Sequence, residues 1–414
     1  MIVQSFIFLC FAALLVYCLA TKKSAISVFL VSMWLVVAFF GFLYINTSIF
    51  YEGRRPMSFL PYIFLFGCFA IYIWPLYNFR VEDIKPFKES RLLIWFFIFC
   101  GVISIIPFAE NLMHALKSAS DPAAFAEFYD RSKSDNSFDM KAHLSVPGRI
   151  FTSISIYFQD ISPFLLLYYL TFKHINKLIL IGLFLFTATP ILFMFAAGSR
   201  GIPVILGFCF IAYYILLHKH IPENRKNVIG IVFLIGAVFV GVIVSYITIS
   251  RFGDTEFDIS EWIYRYIGEP FPDFNCDGFH TRQHTDGYNC FPFFQHLWNP
   301  ALPDTRNIMH LSHQTGIRMY VYYTFIGDIY IDFGPIFCVL FILALASIMH
   351  VFVKRGNGSY SIPAIIIMGL YLKMGIVGYM FMFTKLQPLM IVMTVILALM
   401  LNFFNAFERE EEEA

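Results

Sequence analysis

Runs of about 20 mainly apolar residues, each long enough to cross a bilayer core as a helix, recur along this chain with only short polar punctuation between them. That repetition decides the fold class. With 59% hydrophobic residues, 14% charged residues and a mean hydropathy of +0.70, the chain lies far outside the range of a soluble globular domain. It reads as an all-α, polytopic membrane protein, a single transmembrane domain over residues 1–414. About eleven spans are expected, at 2–20, 25–46, 58–78, 92–109, 150–172, 178–197, 202–217, 228–250, 329–353, 362–383 and 386–406. The first is read as a span and not as a signal peptide, because Lys22 and Lys23 follow its apolar stretch instead of preceding it. A formal charge of +1 with no extended basic block excludes a nucleic-acid partner.

Lys and Arg in short loops set the orientation. Lys22/Lys23, Arg80 to Arg91, Lys173/Lys177, Lys219/Arg225/Lys226 and Lys354/Arg355 fall on alternate connections, which are therefore cytoplasmic. The N-terminus and three segments then lie outside: 110–149, the tight turn 198–201, and the large loop 251–318. Arg54 and Arg55 also land outside, against the rule. No internal repeat of the transporter kind is evident.

Local signals predict short helices in the outer segments. Asp121-Pro122 suits an N-cap and first helical residue. In the large loop, Asp258 to Glu261 has capping-box spacing, Ile259, Trp262, Ile263 and Tyr266 share one apolar face, and Gly268 is expected to end the helix. Arg265 lies on the polar face with Glu261 four residues back as an ion-pair partner.

Six of the eight cysteines sit inside apolar runs, where cysteine acts as a small hydrophobe. Cys276 and Cys290 share the outer loop, and on an oxidising side they are expected to form a disulfide. His280, His284, His296, His310 and His313 crowd the same loop. The first two have the spacing of zinc ligands on a helix, but the glycines around them argue against a helix, and no metal is expected.

Several charged residues stand where charge needs a reason. Arg200, in Gly198-Ser199-Arg200-Gly201, is wedged between two apolar runs at membrane-surface depth. There a guanidinium suits bidentate contact with phosphate, or anchors a hairpin to headgroups. Arg251 ends the run 228–250, and Arg318 precedes the run 329–353. Glu269 lies between Gly268 and Pro270 among aromatics, a setting that suits a carboxylate to proton transfer. Asp328 and Asp332, four apart, face one way on a helix and are candidates to orient a sugar or hold an arginine. Asp160 and Lys373 fall near the middle of apolar runs, where an isolated charge is costly and pairing is expected.

Taken in order, Gly198-Ser199-Arg200-Gly201, Ser250-Arg251-Phe252, Tyr266-Ile267-Gly268-Glu269-Pro270-Phe271-Pro272-Asp273-Phe274-Asn275 and Gly327-Asp328-Ile329-Tyr330-Ile331-Asp332-Phe333-Gly334 resemble Wzy-type O-antigen, or oligosaccharide repeat-unit, polymerases. The motif resemblance spans about 150–353, and the architecture of the whole chain is similar to the lipid-linked glycan polymerase and ligase fold. His313-Gln314 resembles a late-loop histidine of the related O-antigen ligases, with a following glycine spacing that departs from theirs, which favours a polymerase.

The resemblance implies a glycosyltransferase of polysaccharide biosynthesis in a bacterial inner membrane, with its site on the periplasmic face. The donor would be an undecaprenyl-pyrophosphate-linked oligosaccharide and the acceptor a hydroxyl of a second lipid-linked repeat unit. Membrane lipid and a chain-length regulator are the implied partners. On this reading Arg200, Arg251, Arg318 and Arg265 bind pyrophosphate, and Glu269 or His313 takes the acceptor proton. Asn275, Asp328 and Tyr266 contact substrate. Fixed arginines stabilise a pyrophosphate leaving group without a metal or other cofactor. The alternatives are an O-antigen-type ligase and a flippase or exporter of the same lipid-linked glycan.

Overall fold

The computed structural model describes residues 1–47, 50, 55–81, 84, 91–120, 141–196, 201–252, 258–303, 307–355, 360–380 and 387–413, some helix-end residues by their backbone alone. Among them the chain is all helix, with no strand. The helices are α1 (Ile2–Ala20), α2 (Ala25–Tyr44), α3 (Phe59–Ile73), α4 (Arg91–Ser120), α5 (Val146–Tyr157), α6 (Ser162–Tyr169), α7 (Lys177–Ala196) and α8 (Gly201–Leu217). They continue with α9 (Glu223–Phe252), α10 (Ile259–Gly268), α11 (Pro270–Cys276), α12 (Pro292–Trp298), α13 (Ile308–Thr315), α14 (Thr324–Arg355), α15 (Ile362–Val377) and α16 (Gln387–Glu413). Among the described residues, each apolar run expected to be a span is helical over most of its length.

Among the described residues, six segments are long and apolar enough to cross a membrane: Ile2–Ala20, Ala25–Tyr44, Phe59–Leu76, Arg91–Lys117, Lys177–Phe195 and Thr324–Lys354. The protein is therefore a multi-pass membrane protein. The run expected as one span at 150–172 is instead two helices, α5 and α6, meeting at 81°. Asp160 is buried in the non-helical turn between them, not in mid-helix, and Lys373 is buried on α15. α4 runs on to Ser120, past the end expected at 109, because Pro107 is carried inside it. There Asn111 Nδ2 bonds both the Pro107 carbonyl (2.7 Å) and Thr152 Oγ1 (3.1 Å). The helix expected from Asp121, together with Arg200, Arg54 and Arg306, lies outside the described residues.

The chain divides into two compact units. One holds Met1–Asp83, Thr255–Asn357 and Tyr371–Leu389, and the other holds Ile84–Asp254, Gly358–Leu370 and Met390–Ala414. In the second, α4 and α7 approach so closely that a Cβ on Gly101 would stand 2.9 Å from Gly182 Cα. The C-terminal carbonyls after α6 are capped by Arg225, whose Nη1 donates to Leu170 (2.9 Å) and to Phe172, while Nη2 reaches Lys173 (3.1 Å).

The first unit contains a reversal that hydropathy does not reveal. A straight helix over the 31 residues Thr324–Lys354 would be about 46 Å long, well beyond a hydrocarbon core of about 30 Å. Gly334 breaks it, at φ 77° and ψ 179°, and Pro335 follows. Cys338 Sγ then lies 3.4 Å from the Ile326 carbonyl, although twelve residues of straight helix would separate them by about 18 Å. α14 is thus a hairpin.

Its first limb, Thr324–Phe333, runs along α3 from Tyr72, whose ring is 5.1 Å from Phe325, to Phe64, 5.3 Å from Tyr330. The second limb, Pro335–Arg355, is about 30 Å long at 1.5 Å per residue and exposes Ile336, Phe337, Leu340 and Ile348. The expected span 329–353 is corrected accordingly: the crossing helix starts at Pro335. The buried start of the first limb meets the end of α15 head to tail. Phe325 N donates to the Gly378 carbonyl (2.7 Å) and Gly327 N to Thr324 Oγ1 (3.1 Å), so donors that a helix start leaves unpaired find partners inside the bundle.

Candidate functional site

Glu269, Asp273 and Asp277 follow Arg265 at intervals of four, and this spacing builds the site. α10 does not stop at Gly268. Glu269 N bonds Arg265 O (2.8 Å), Asp273 N bonds Glu269 O (2.9 Å) and Asp277 N bonds Asp273 O (2.9 Å), so one helical face carries all four charges through α11.

Gly268 has another job. A Cβ there would stand 2.3 Å from the backbone of Phe40, and Gly41 packs back against the Gly268 carbonyl. The glycine lets α10 lie on α2. On the same side, Phe271 then enters α1 and α2, its ring 5.6 Å from Phe11 and 5.5 Å from Trp34. Asp258 occupies the N-cap position as expected but makes no side-chain capping bond.

The ion pair of Arg265 runs forward: its Nε donates to Glu269 Oε2 at 2.7 Å. Glu269 Oε1 accepts Tyr322 N at 3.2 Å. Arg318 donates to Asp277 Oδ2 through Nε (2.8 Å) and Nη2, and its Nη2 lies 3.8 Å from Asp273 Oδ1. The carboxylates are the inner partners. Side chains of Glu269 and Asp273 are 4% and 0% exposed, those of Arg265 and Arg318 24% and 30%. Burial opposes the charge on Arg265, but Glu269, Tyr44 and Asp273 together outweigh it and hold the guanidinium above its ordinary range. Burial likewise opposes Arg318, and Asp273 and then Asp277 raise it. Tyr323 donates to the Arg318 carbonyl (2.7 Å); burial, then Asp273 and Asp277, push its phenol well above the ordinary value.

Other expected site residues sit elsewhere. Asn275, expected to contact substrate, is fully buried and turned to the fold: its Nδ2 donates to Ser58 O (2.7 Å) and its Oδ1 accepts Ser58 N (2.9 Å). Tyr266 is half-buried beside Arg265, and Asp328 is buried on the first limb of α14. Asp332 is a staple. It accepts Thr285 Oγ1, Asn289 N (3.0 Å) and Cys290 N (2.8 Å), tying loop 285–290 to the hairpin turn. His284 seals the same turn, with Nδ1 3.2 Å from Ile331 O and its ring against Gly334. His313 is exposed on α13, and no described contact joins it to the charge cluster. Arg251 is in the last turn of α9, in the second unit, with only its backbone described.

The structure does not join Cys276 and Cys290 in the expected disulfide: Cys276 packs with Tyr44, Ile45 and Phe50, and the backbone N of Cys290 donates to Asp332 Oδ2. Asp273 and Asp277 escaped the reading of the sequence although their spacing from Arg265 was there to be counted; ending the helix at Gly268 hid it.

Compared with protein-family models, with curated proteins and with solved structures, the chain finds no match.

Proposed function

We propose that the chain polymerises lipid-linked glycan repeat units, as a metal-independent glycosyltransferase of the Wzy type acting on the outer face of a bacterial inner membrane. In this reading all eleven apolar helical segments are spans and the loop after α9 is extracytoplasmic. An acceptor hydroxyl oxygen attacks the anomeric carbon of the donor. The bond from that carbon to the pyrophosphate oxygen breaks, the isoprenoid pyrophosphate leaves, and the hydroxyl proton passes to a base.

One observation carries this reading: Arg265 and Arg318 are oriented from beneath by buried carboxylates and keep part of each guanidinium open. Glu269 uses only Nε of Arg265, leaving terminal N–H donors for a phosphate. Donors fixed before the reaction need no reorganisation as charge grows on the leaving group. Glu269 is the proposed base. It accepts one described hydrogen bond on each oxygen, which leaves acceptor capacity for a hydroxyl. His313 is the second candidate. Tyr266 and Asp328 are proposed to line the sugar path. Arg200 and Arg251, in the second unit, carry their proposed pyrophosphate role from the resemblance alone.

The test is reconstitution with lipid-linked repeat units, reading the length of lipid-linked product. Arg318→Ala and Arg265→Ala are expected to lower elongation by about 100-fold or more; unchanged elongation in both removes the pyrophosphate assignment. Full rate in Glu269→Gln moves the base elsewhere. Transfer of the product to lipid A core would instead mean a ligase. The first limb of α14, starting inside the bundle as half-helices of transporters do, favours a flippase as the second reading. Movement of labelled lipid-linked glycan between leaflets without elongation would establish it.

A further inference from the structure

We propose that Tyr320 is a saccharide-stacking residue, holding the sugar ring joined to the pyrophosphate that Arg318 receives. This rests on the glycan-transfer reading and names a contact of the same site.

Burial alternates along the segment leading into α14: Met319 is 0% exposed, Tyr320 62%, Val321 4% and Tyr323 0%. Arg318 and Tyr322 are partly open and share the parity of Tyr320. The segment turns at Met319–Tyr320 and bends at Val321, leaving Arg318, Tyr320 and Tyr322 accessible while Met319, Val321 and Tyr323 pack into the protein. The segment is also tied at every step. Met319 N donates to Ser312 Oγ (3.1 Å), Tyr322 N to Glu269 Oε1, Tyr323 Oη to Arg318 O and Phe325 N to Gly378 O. The backbone that carries the exposed Tyr320 ring is thus anchored on both sides of it.

The chemistry of the occupant follows from the neighbour. Arg318 is a guanidinium aimed by Asp277, and its complement is an oxyanion. Two residues of chain span at most about 7 Å, the scale of one pyranose ring. A sugar bonded directly to the phosphate that Arg318 holds is therefore within reach of Tyr320. A flat ring with a hydroxyl at its edge suits it: the aromatic face takes the sugar's C–H face, and the phenol meets its hydroxyls. The competing occupant, lipid headgroups against an interfacial tyrosine, makes a different prediction.

The experiment uses the full chain in lipid nanodiscs, as wild type, Tyr320→Phe and Tyr320→Leu, titrated with isoprenyl pyrophosphate bearing one sugar and with the sugar-free pyrophosphate. Tyr320→Leu is expected to weaken the sugar-bearing ligand about tenfold, with Tyr320→Phe within about threefold of wild type and the sugar-free ligand bound equally by all three. In elongation the loss in Tyr320→Leu falls on KM. Equal losses for both ligands point to a lipid anchor and overturn the proposal, as does wild-type affinity of Tyr320→Leu for the sugar-bearing ligand. Loss of both ligands in Arg318→Ala, with Tyr320→Leu unaffected, leaves glycan transfer standing and removes this contact. If wild type binds neither ligand, glycan transfer itself fails and the inference with it.

Discussion

Asp277 and Asn275 are neighbours in sequence with opposite duties. Asn275 is turned inward, its amide closing a two-bond ring with the main chain of Ser58. Asn275→Ala would remove both bonds to the Ser58 main chain, at a cost of about 0.5–1.5 kcal/mol for each. A lower thermal midpoint, with KM unchanged in the protein that remains folded, is the expected result. Asp277 is mostly buried, its side chain 14% exposed, and grips Arg318 by two donors. Asp277→Asn keeps an acceptor but removes the charge that aims the guanidinium. Elongation is expected to fall at least about tenfold with little change in thermal midpoint. If Asp277→Asn instead lowers the midpoint as much as Asn275→Ala and spares elongation, the pair is structural and not part of the site.

At the scale of elements, two glycines do work that propensity misassigns. Gly268 reads as a helix terminator, since glycine commonly ends helices, yet the helix-type hydrogen bonds run through it and its missing side chain is what α2 leans on. Gly334 reads as an unremarkable member of an apolar run, yet its positive φ reverses the chain. Gly334→Ala is doubly penalised, by the left-handed backbone and by His284 Nε2 at 2.9 Å from the new Cβ. Gly268→Ala meets only backbone, at 2.3 Å, and nothing there can rotate away. Both variants are expected to lower the thermal midpoint in detergent. Adding His284→Ala should recover part of the Gly334→Ala loss and none of the Gly268→Ala loss. Equal recovery in both would mean that His284 does not seal the turn.

For the whole molecule, what could be read in advance was what hydropathy sums over one residue at a time. The apolar runs are helices because burying twenty such side chains in lipid outweighs every local preference. The charged positions Arg265, Glu269 and Arg318 drew attention because charge is expensive beside such runs. Direction was not legible. Thr324–Phe333, despite Asp328 and Asp332, passes with Pro335–Arg355 as one apolar stretch, so a hydropathy window joins them, and only contacts distant in sequence, such as Cys338 with Ile326, separate them. Where the two loop cysteines sit was no more legible: Cys276 belongs to the α2 packing and Cys290 to the hairpin turn.

The hairpin has a consequence that accessibility can measure. If α14 reverses at Gly334, the lipid-facing surface begins with Ile336 and Phe337, 72% and 66% exposed, while Asp286, bonded through its backbone to Asp332 at the turn, faces water. In a background where the eight native cysteines are replaced, Asp286→Cys should react with a membrane-impermeant maleimide, and Ile336→Cys and Phe337→Cys only with a lipid-soluble one. Ile329→Cys, 0% exposed on the first limb, should react with neither until the protein is unfolded. A straight α14 entering the membrane at residue 329 predicts a different order, with Ile329→Cys open to the impermeant reagent, and that result would remove the reversal together with the placement of Arg318 and Tyr320 that depends on it.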